Sequence, residues 1–188
     1  MTQRDRMLEA VVVAVAERGF GDATVADVVA RAGVSRRTFY EHFDDKLDCF
    51  LAAYESRSDS VISEIEARVL ELGDGVGWRA RVSAGLEAYV ERLASEPMFA
   101  RVFNIDVLGA GPRALELREQ VLGRFVATYK GLGADQELLR ALVGGIAELV
   151  QARLLAGDAA SLPELLPTLE RLAFAVVGAG DRGEAWVA

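Results

Sequence analysis

Apolar residues recur at the three- and four-residue spacing of an amphipathic helix along almost the whole chain. No strand-like alternation is long enough to build a sheet, and no internal repeat is evident. Capping residues, glycines and prolines divide the pattern into separate helices. Gly19 closes the first helix, and two capping boxes, Thr24 with Asp27 and Ser161 with Glu164, start later ones. The predicted helices cover about residues 4–18, a short segment between Thr24 and Gly33, 36–43, a long segment from Asp44 or Asp45 to Leu72, 78–95, 97–108, 112–130, 135–156 and 162–177. The sequence therefore predicts an all-α fold.

The composition narrows the class of protein. Apolar residues make up 52% of the 188 residues and charged residues 27%, so the chain can bury a core. A net charge of −8 excludes a protein that coats nucleic acid through bulk positive charge. One cysteine and one histidine exclude a disulfide framework and a metal site rich in either residue, so neither a metal nor a cofactor is expected. No acid–base or nucleophile set converges, and we expect no enzyme.

The first residues carry charge and no apolar stretch typical of a signal peptide follows them. The apolar run from Ala10 to Ala16 is far shorter than a bilayer-spanning helix. These features lead us to expect a soluble, cytoplasmic protein that has no membrane partner.

The N-terminal part shows a helix-turn-helix pattern, in which Gly33, Val34 and Ser35 join the second helix to the third. Gly33 supplies the left-handed backbone conformation that a tight turn needs, and Ser35 is placed to cap the third helix. Phe39 and Phe43 stand four residues apart, so they share one face and should anchor that helix to the core. The opposite face then carries polar and basic side chains.

That opposite face is chemically suited to DNA. It presents Arg36, Arg37 and Tyr40, with Thr38 and His42 at its edges, and such groups bind phosphates and guanine edges. Residues 1–46 carry seven cations and eight anions, so most of the negative charge of the chain lies elsewhere. Nearby acidic residues have two alternative roles: they weaken non-specific DNA binding, or they aim Arg37 through a local ion pair. The acidic residues concerned are Glu41, Asp44 and Asp45.

The stretch from Thr24 to Lys46 resembles the signature of the TetR family of bacterial transcriptional regulators. In that family a threonine opens the second helix, A-G-V-S forms the turn, T-[LF]-Y-x-H-F is the recognition helix, and a lysine follows near the start of the fourth. The chain departs from the pattern at Arg37, where many members have glycine, and at Asp44, where a basic or neutral polar residue is common. The resemblance implies that Arg36 and Arg37 contact bases and that His42 has a mixed role in backbone contact and packing. It also implies that five residues contact phosphates: Thr24, Ser35, Thr38, Tyr40 and Lys46.

The same resemblance implies three regions: a DNA-binding domain over 1–46, a helical-bundle effector-binding and dimerisation domain over 47–180, and a C-terminal tail over 181–188. In the family fold the last two helices pair with those of a second copy. Their apolar residues surround more of each helix than one core-facing stripe needs. A symmetric dimer would place the recognition helices about 34–36 Å apart, on successive major grooves of a palindromic operator. The predicted interface residues are Leu142, Ile146, Leu149, Leu165, Leu169 and Leu172.

Aromatic and neighbouring residues of the larger domain are candidates for an effector pocket, although residues at such spacing more often form plain core. The candidates are Trp78, Tyr89, Met98, Phe99, Phe103 and Asn104. His42 and Cys49 stand seven residues apart, but a helix cap between them argues against a metal or nucleophile pair, and we expect Cys49 in the core. The glycine-rich residues 73–77 lack the Lys-Ser/Thr of a phosphate loop and are read as a linker.

These observations lead to a homodimeric repressor that a small-molecule effector releases from its operator. The alternative is a helical ligand- or partner-binding protein in which the helix-turn-helix is only structural.

Overall fold

A computed structural model describes residues 1–180, and this part of the chain consists of α-helices, two 3-10 segments and connecting turns, without a strand. The helices are α1 Gln3–Asp22, α2 Val25–Ala32, α3 Arg36–Tyr40, α4 Lys46–Glu71, α5 Trp78–Ser95, α6 Pro97–Asn104, α7 Pro112–Thr128, α8 Gln136–Leu155 and α9 Leu166–Gly180. The 3-10 segments are Asp106–Gly109 and Ala159–Leu165. The predicted all-α fold is confirmed, and the predicted tail 181–188 lies outside the described residues. None of the described helices is long and apolar enough to cross a membrane.

Local capping signals fix the first two helices. Thr24 and Asp27 form the predicted capping box: Thr24 Oγ1 accepts from the Asp27 N–H at 3.2 Å, and Asp27 Oδ2 accepts from the Thr24 N–H at 2.9 Å. α1 passes the expected end at Arg18, but Gly19 breaks it with a φ of 77° before one last turn. The break therefore falls where glycine was expected to close the helix.

The junction between α3 and α4 is longer than predicted. α3 ends at Tyr40, not Phe43, and residues 41–45 form a turn before α4. Of the two candidate caps for α4, Asp45 fills the role, since its Oδ1 accepts from the Asp48 N–H at 2.7 Å. α4 then continues without a break to Glu71.

The start of the last helix corrects another prediction. Ser161 and Glu164 do not form the expected capping box, because residues 159–165 adopt a 3-10 turn. Ser161 Oγ instead lies 2.5 Å from a carboxylate oxygen of Asp158 and accepts from Arg153 Nη1 at 2.6 Å. The regular helix begins only at Leu166.

The chain forms two compact units. Unit 1 joins Met1–Asp59 to Glu96–Arg118, and unit 2 joins Ser60–Ser95 to the residues from Glu119 onward. Residues 1–46 all lie in unit 1, and the division into a DNA-binding and an effector-binding domain stays a prediction.

Within unit 1, α6 and the following 3-10 segment pack against α1. Arg57 of α4 lies 3.9 Å from Glu9 of α1 and 3.4 Å from Glu96 at the start of α6, which ties three helices together. Within unit 2, α5 packs against α9 and the second 3-10 segment, and α8 against α9.

Candidate nucleic-acid interface

Two buried phenylalanines hold α3, the predicted recognition helix. Phe39 is fully covered and Phe43 almost so, and their ring centres lie 5.7 Å apart. The predicted inward orientation of both rings is confirmed. The edge of the Phe39 ring also meets Tyr40 at 5.4 Å, while 55% of Tyr40 remains exposed. The packing therefore leaves one side of α3 open to solvent.

The turn before α3 has the geometry that its sequence predicts. Gly33 adopts the left-handed conformation with a φ of 62°, and the Val34 N–H donates to the carbonyl of Val29 at 3.1 Å. Ser35 caps α3, because its Oγ accepts from the Thr38 N–H at 3.0 Å. The hydroxyls of Ser35 and Thr38 lie 2.9 Å apart, so the two predicted phosphate ligands form one local pair.

The open side of α3 carries the predicted basic residues. Arg36, Arg37 and His42 are exposed, and Thr38 is half-buried. The side chain of Arg37 is 89% exposed, and its Nε donates to Glu41 Oε1 at 3.1 Å. Of the two roles left open for the acidic neighbours, aiming Arg37 is therefore the one for which a contact exists. The terminal nitrogens of Arg37 form no hydrogen bond or ion pair with the described residues, so both can donate to an external bidentate acceptor.

Two predicted phosphate ligands are engaged within the protein. The hydroxyl of Thr24 donates to Asp27 Oδ2 at 2.6 Å inside the capping box of α2. The ammonium of Lys46 donates to the backbone carbonyls of Phe20 and Ala23. Burial lowers the pKa of Lys46, and the charge of Asp22 opposes that shift. Their contacts with DNA stay predictions, and nothing local in the sequence points to the carbonyl partners of Lys46.

Cys49 is a core residue, as expected. Its Sγ lies 3.7 Å from the carbonyl oxygen of Met7, and burial raises the pKa of the thiol to about 12. Among the described residues no three His, Cys, Asp or Glu side chains stand close enough to hold a metal ion.

The pocket candidates fall in different compact units. In unit 1, Phe99 and Phe103 lie 5.4 Å apart, and Phe103 stacks on Tyr54 at 5.1 Å. Asn104 is buried beside them and donates from Nδ2 to the carbonyl of Ala100 at 2.9 Å. Met98 instead is exposed.

In unit 2, Trp78 meets Phe174 at 5.7 Å and Tyr89 meets Phe125 at the same distance. Each of these aromatic rings already has an aromatic neighbour. A pocket lined by them stays a prediction.

All six predicted interface residues belong to unit 2, and most of them are buried within it. Leu142, Ile146, Leu165 and Leu169 are buried by their own chain, whereas Leu149 and Leu172 are half-buried. A second copy cannot contact a covered side chain, so a dimer contact at α8 stays a prediction for its exposed residues. These include Glu137, Leu138, Ala141, Gly144, Glu148, Ala152 and Leu155, whereas Gly145 faces Leu172 of its own chain.

An N-terminal helix-turn-helix with an exposed basic recognition helix, joined to a larger helical part, is the architecture of helix-turn-helix regulatory proteins. Residues 8–53 match the family model described as bacterial regulatory proteins, tetR family. The N-terminal part of the chain is therefore similar to regulatory proteins of the TetR family, and the resemblance seen in the sequence is confirmed.

Two curated relatives each match a little under half of this chain. The HTH-type transcriptional activator FasR of Mycolicibacterium smegmatis is 29% identical over 89 residues, which are 47% of this chain and 39% of FasR. The HTH-type transcriptional regulator SrpR of Pseudomonas putida is 32% identical over 85 residues, which are 45% of this chain and 38% of SrpR. The matches thus span about two fifths of each relative.

Solved structures extend the similarity of fold to almost the whole chain. The fatty acid degradation regulator FadR from Bacillus halodurans has a TM-score of 0.80 at 17% identity, with 95% of this chain and 96% of FadR covered. FadR from Bacillus subtilis, solved with stearoyl-CoA, has a TM-score of 0.79 at 18% identity, with 93% and 98% covered. At these identities the likeness establishes the fold alone.

Proposed function

We propose that the chain is a sequence-specific DNA-binding transcriptional regulator. The observation that carries the proposal is the open side of α3, where Phe39 and Phe43 are turned into the core while Arg36, Arg37 and Tyr40 face solvent. A short helix held in this way fits the major groove with its first residues against base edges. No catalytic role is proposed, and the site of action is the cytoplasm, where a bacterial regulator meets its DNA.

Each exposed residue has a role that follows from its donors. Arg36 and Arg37 carry the planar forks that recognise guanine, and each such contact is worth about 1–3 kcal/mol of discrimination between bases. The remaining groups bind the phosphates that fix the register of the protein on the duplex. These groups are Ser35, Thr38 and Tyr40, with His42 in a mixed role of backbone contact and packing. The hydroxyl of Thr24 already donates to Asp27, so its phosphate contact is proposed from the resemblance alone.

The decisive experiment is selection of bound duplexes from random DNA, followed by titration of the selected sequence by fluorescence anisotropy. Arg36→Ala and Arg37→Ala should each weaken binding by about 1–3 kcal/mol and relax the preference at one base position. Arg113→Ala, which removes an exposed arginine of α7, is the matched control and should bind as the wild type does. If no duplex is enriched at low salt, the helix-turn-helix is only structural, and a ligand- or partner-binding role takes the place of this proposal.

We further propose a homodimer that binds a palindromic operator. The support is the exposed side of α8, where Ala141, Gly144 and Ala152 leave room for a second helix between the charged residues Glu137 and Glu148 and beyond them. Ala141→Arg places a long charged side chain on this side, four residues from Glu137, so the helix itself is not weakened. Sedimentation should then report a monomer, whereas Ala67→Arg on the exposed side of α4 should leave the dimer intact. A dimer that survives Ala141→Arg rules out this side of α8 as the interface.

The proposed effector is an apolar or amphipathic small molecule that binds the larger domain and releases the repressor. α4 is continuous from Lys46 to Glu71, and only residues 41–45 join it to α3, so a shift of α4 displaces the recognition helix. A ligand that binds the released form about 10⁴-fold more tightly moves the equilibrium from 1:99 to 99:1.

A long-chain acyl-CoA is the first ligand to test, because a structural neighbour was solved with stearoyl-CoA. Stearoyl-CoA added to the operator complex should lower the anisotropy of labelled DNA, while coenzyme A without the acyl chain should not. A complex that is unchanged at saturating stearoyl-CoA removes this class of effector and leaves DNA binding itself untouched.

A further inference from the structure

The first residue of α4, Lys46, reaches back to the junction between α1 and α2. Its ammonium donates to the carbonyl oxygen of Phe20 and, at 2.6 Å, to that of Ala23. The carbonyl oxygen of Gly21 lies 3.4 Å away, and the centre of the Phe20 ring lies 4.3 Å away. The partners precede Lys46 by 23 to 26 residues, so the contact joins distant parts of the chain.

The three carbonyl oxygens match the three N–H donors of a lysine ammonium. The Phe20 ring adds a cation–π contact on the same group. Together these neighbours replace the water that the half-buried side chain gives up. In this arrangement no N–H of Lys46 is left for a DNA phosphate.

The carbonyls concerned belong to the end of one helix and the start of the next. The last four carbonyls of a helix lack partners within the helix, and a cation near them is stabilising. Here Gly19 breaks α1 with a φ of 77°, and Phe20 and Gly21 lie in the turn beyond it. Ala23 directly precedes Thr24, the N-cap of α2. One ammonium therefore holds the end of α1 and the entry to α2 at once.

We infer that Lys46 is a positioning residue that fastens the first turn of α4 to the junction of α1 and α2, and that it is not one of the phosphate contacts. α3 lies in the chain between the two fastened points, and residues 41–45 alone connect it to α4. The fastening therefore sets where α3 stands within unit 1. Its consequence for DNA reading rests on the proposed function, whereas the fastening itself does not.

Chemical modification tests the fastening without DNA. The chain contains two lysines, Lys46 and Lys130, and Lys130 is exposed. Reductive methylation with ¹³C-formaldehyde should label Lys130 at least about tenfold faster than Lys46, because an amine held by carbonyls must first leave them to react. Equal labelling rates in the folded protein would overturn the fastening.

Substitution separates positioning from phosphate binding. Lys46→Gln should lower the melting temperature by about 4–8 °C in the absence of DNA, since one neutral amide cannot serve three carbonyls. At a temperature where the variant is fully folded, its affinity for the selected duplex should fall about three- to tenfold with an unchanged salt dependence. Lys130→Gln is the matched control and should change neither quantity.

Lys46→Arg supplies a second, sharper comparison. Arginine keeps the charge and binds phosphate well, but its planar fork cannot direct donors at three carbonyls around one point. Positioning predicts that Lys46→Arg loses stability and affinity, as Lys46→Gln does.

A phosphate contact predicts that Lys46→Arg binds DNA as the wild type does, and that Lys46→Gln flattens the plot of log K against log salt by about one without lowering the melting temperature. That pair of results would overturn the inference. If instead no duplex binds at all while Lys46→Gln still melts early, the proposed function fails and the fastening stands.

Discussion

Replacing Glu41 with glutamine removes the carboxylate that accepts from Arg37 Nε, and leaves a side chain of nearly the same shape. The two residues are one helical turn apart at the end of α3, where Nε and Oε1 are separated by 3.1 Å. Both side chains are mostly exposed. The substitution therefore changes the orientation of Arg37 and the local charge without disturbing the core.

Two estimates decide what the substitution does to stability and to non-specific binding. An exposed ion pair at this spacing contributes about 0.3–0.5 kcal/mol, so the melting temperature should hardly move. One negative charge about 10 Å from a phosphate costs about 0.4 kcal/mol in water, and salt screens part of it. Losing the charge of Glu41 should thus tighten binding to every duplex by about twofold at most.

Specific binding responds in the opposite direction. A bidentate contact to guanine is worth about 1–3 kcal/mol, and it needs the fork of Arg37 to be held in place. Without Glu41, the side chain of Arg37 has to be ordered when DNA binds, and the entropy cost of this ordering offsets part of the free energy of the guanine contact. We expect the ratio of specific to non-specific affinity to fall about three- to tenfold in Glu41→Gln.

Anisotropy titrations of the selected duplex and a scrambled duplex at one salt concentration measure this ratio. Glu55→Gln, an exposed glutamate of α4, is the control and should leave the ratio unchanged. A double-mutant cycle with Arg37→Ala isolates the coupling between the two residues. A coupling free energy of zero, or a ratio that rises in Glu41→Gln, would refute the view that Glu41 aims Arg37.

Three further predictions concern unit 1. Gly33→Ala forces a left-handed conformation with a φ of 62° on a residue with a Cβ, and should cost about 1 kcal/mol in chemical denaturation; an unchanged midpoint would contradict the strain. Cys49, with its pKa raised to about 12, should resist Ellman's reagent at pH 8 in the native protein and react at once in denaturant; rapid native reaction would contradict its burial. Burial raises the pKa of Asp106, whose side chain is 7% exposed beside Arg101, so the folded state holds that proton more tightly and loses stability as the pH rises from 3.8 through the raised value. Asp106→Asn should therefore gain in melting temperature relative to the wild type between pH 3 and pH 7, and parallel curves would contradict the shift.

Local signals explain why the helix-turn-helix was predictable from the sequence. The capping box of Thr24 and the cap of Ser35 each join residues three positions apart, and Gly33 sets the turn through its own backbone. Interactions of this range are visible in the sequence because both partners lie within one turn. The inward orientation of Phe39 and Phe43 follows from the same helical spacing.

Contacts between distant residues were not predictable in this way. The carbonyl partners of Lys46 lie 23 and 26 residues earlier, and backbone groups carry no sequence signal of their own. The predicted box at Ser161 failed because residues 159–165 form a 3-10 segment, in which Ser161 Oγ accepts from Arg153 of the preceding helix. Here a side chain from another helix competes with the local capping interaction.

The two sides of α8 show the same limit where function is at stake. Its sequence is apolar around much of the helix, so spacing alone cannot separate the side that its own chain covers from the side left for a second copy. The fold makes that separation: Leu142 and Ile146 are covered, whereas Ala141 is open and Leu155 is 65% exposed. A charge at Ile146 would thus be buried without a partner, and would unfold unit 2 whether or not the protein dimerises. Only a substitution on the open side, such as Ala141→Arg, tests assembly separately from folding. In a single chain the added charge stays in water, so only an interface with a second copy would bury it.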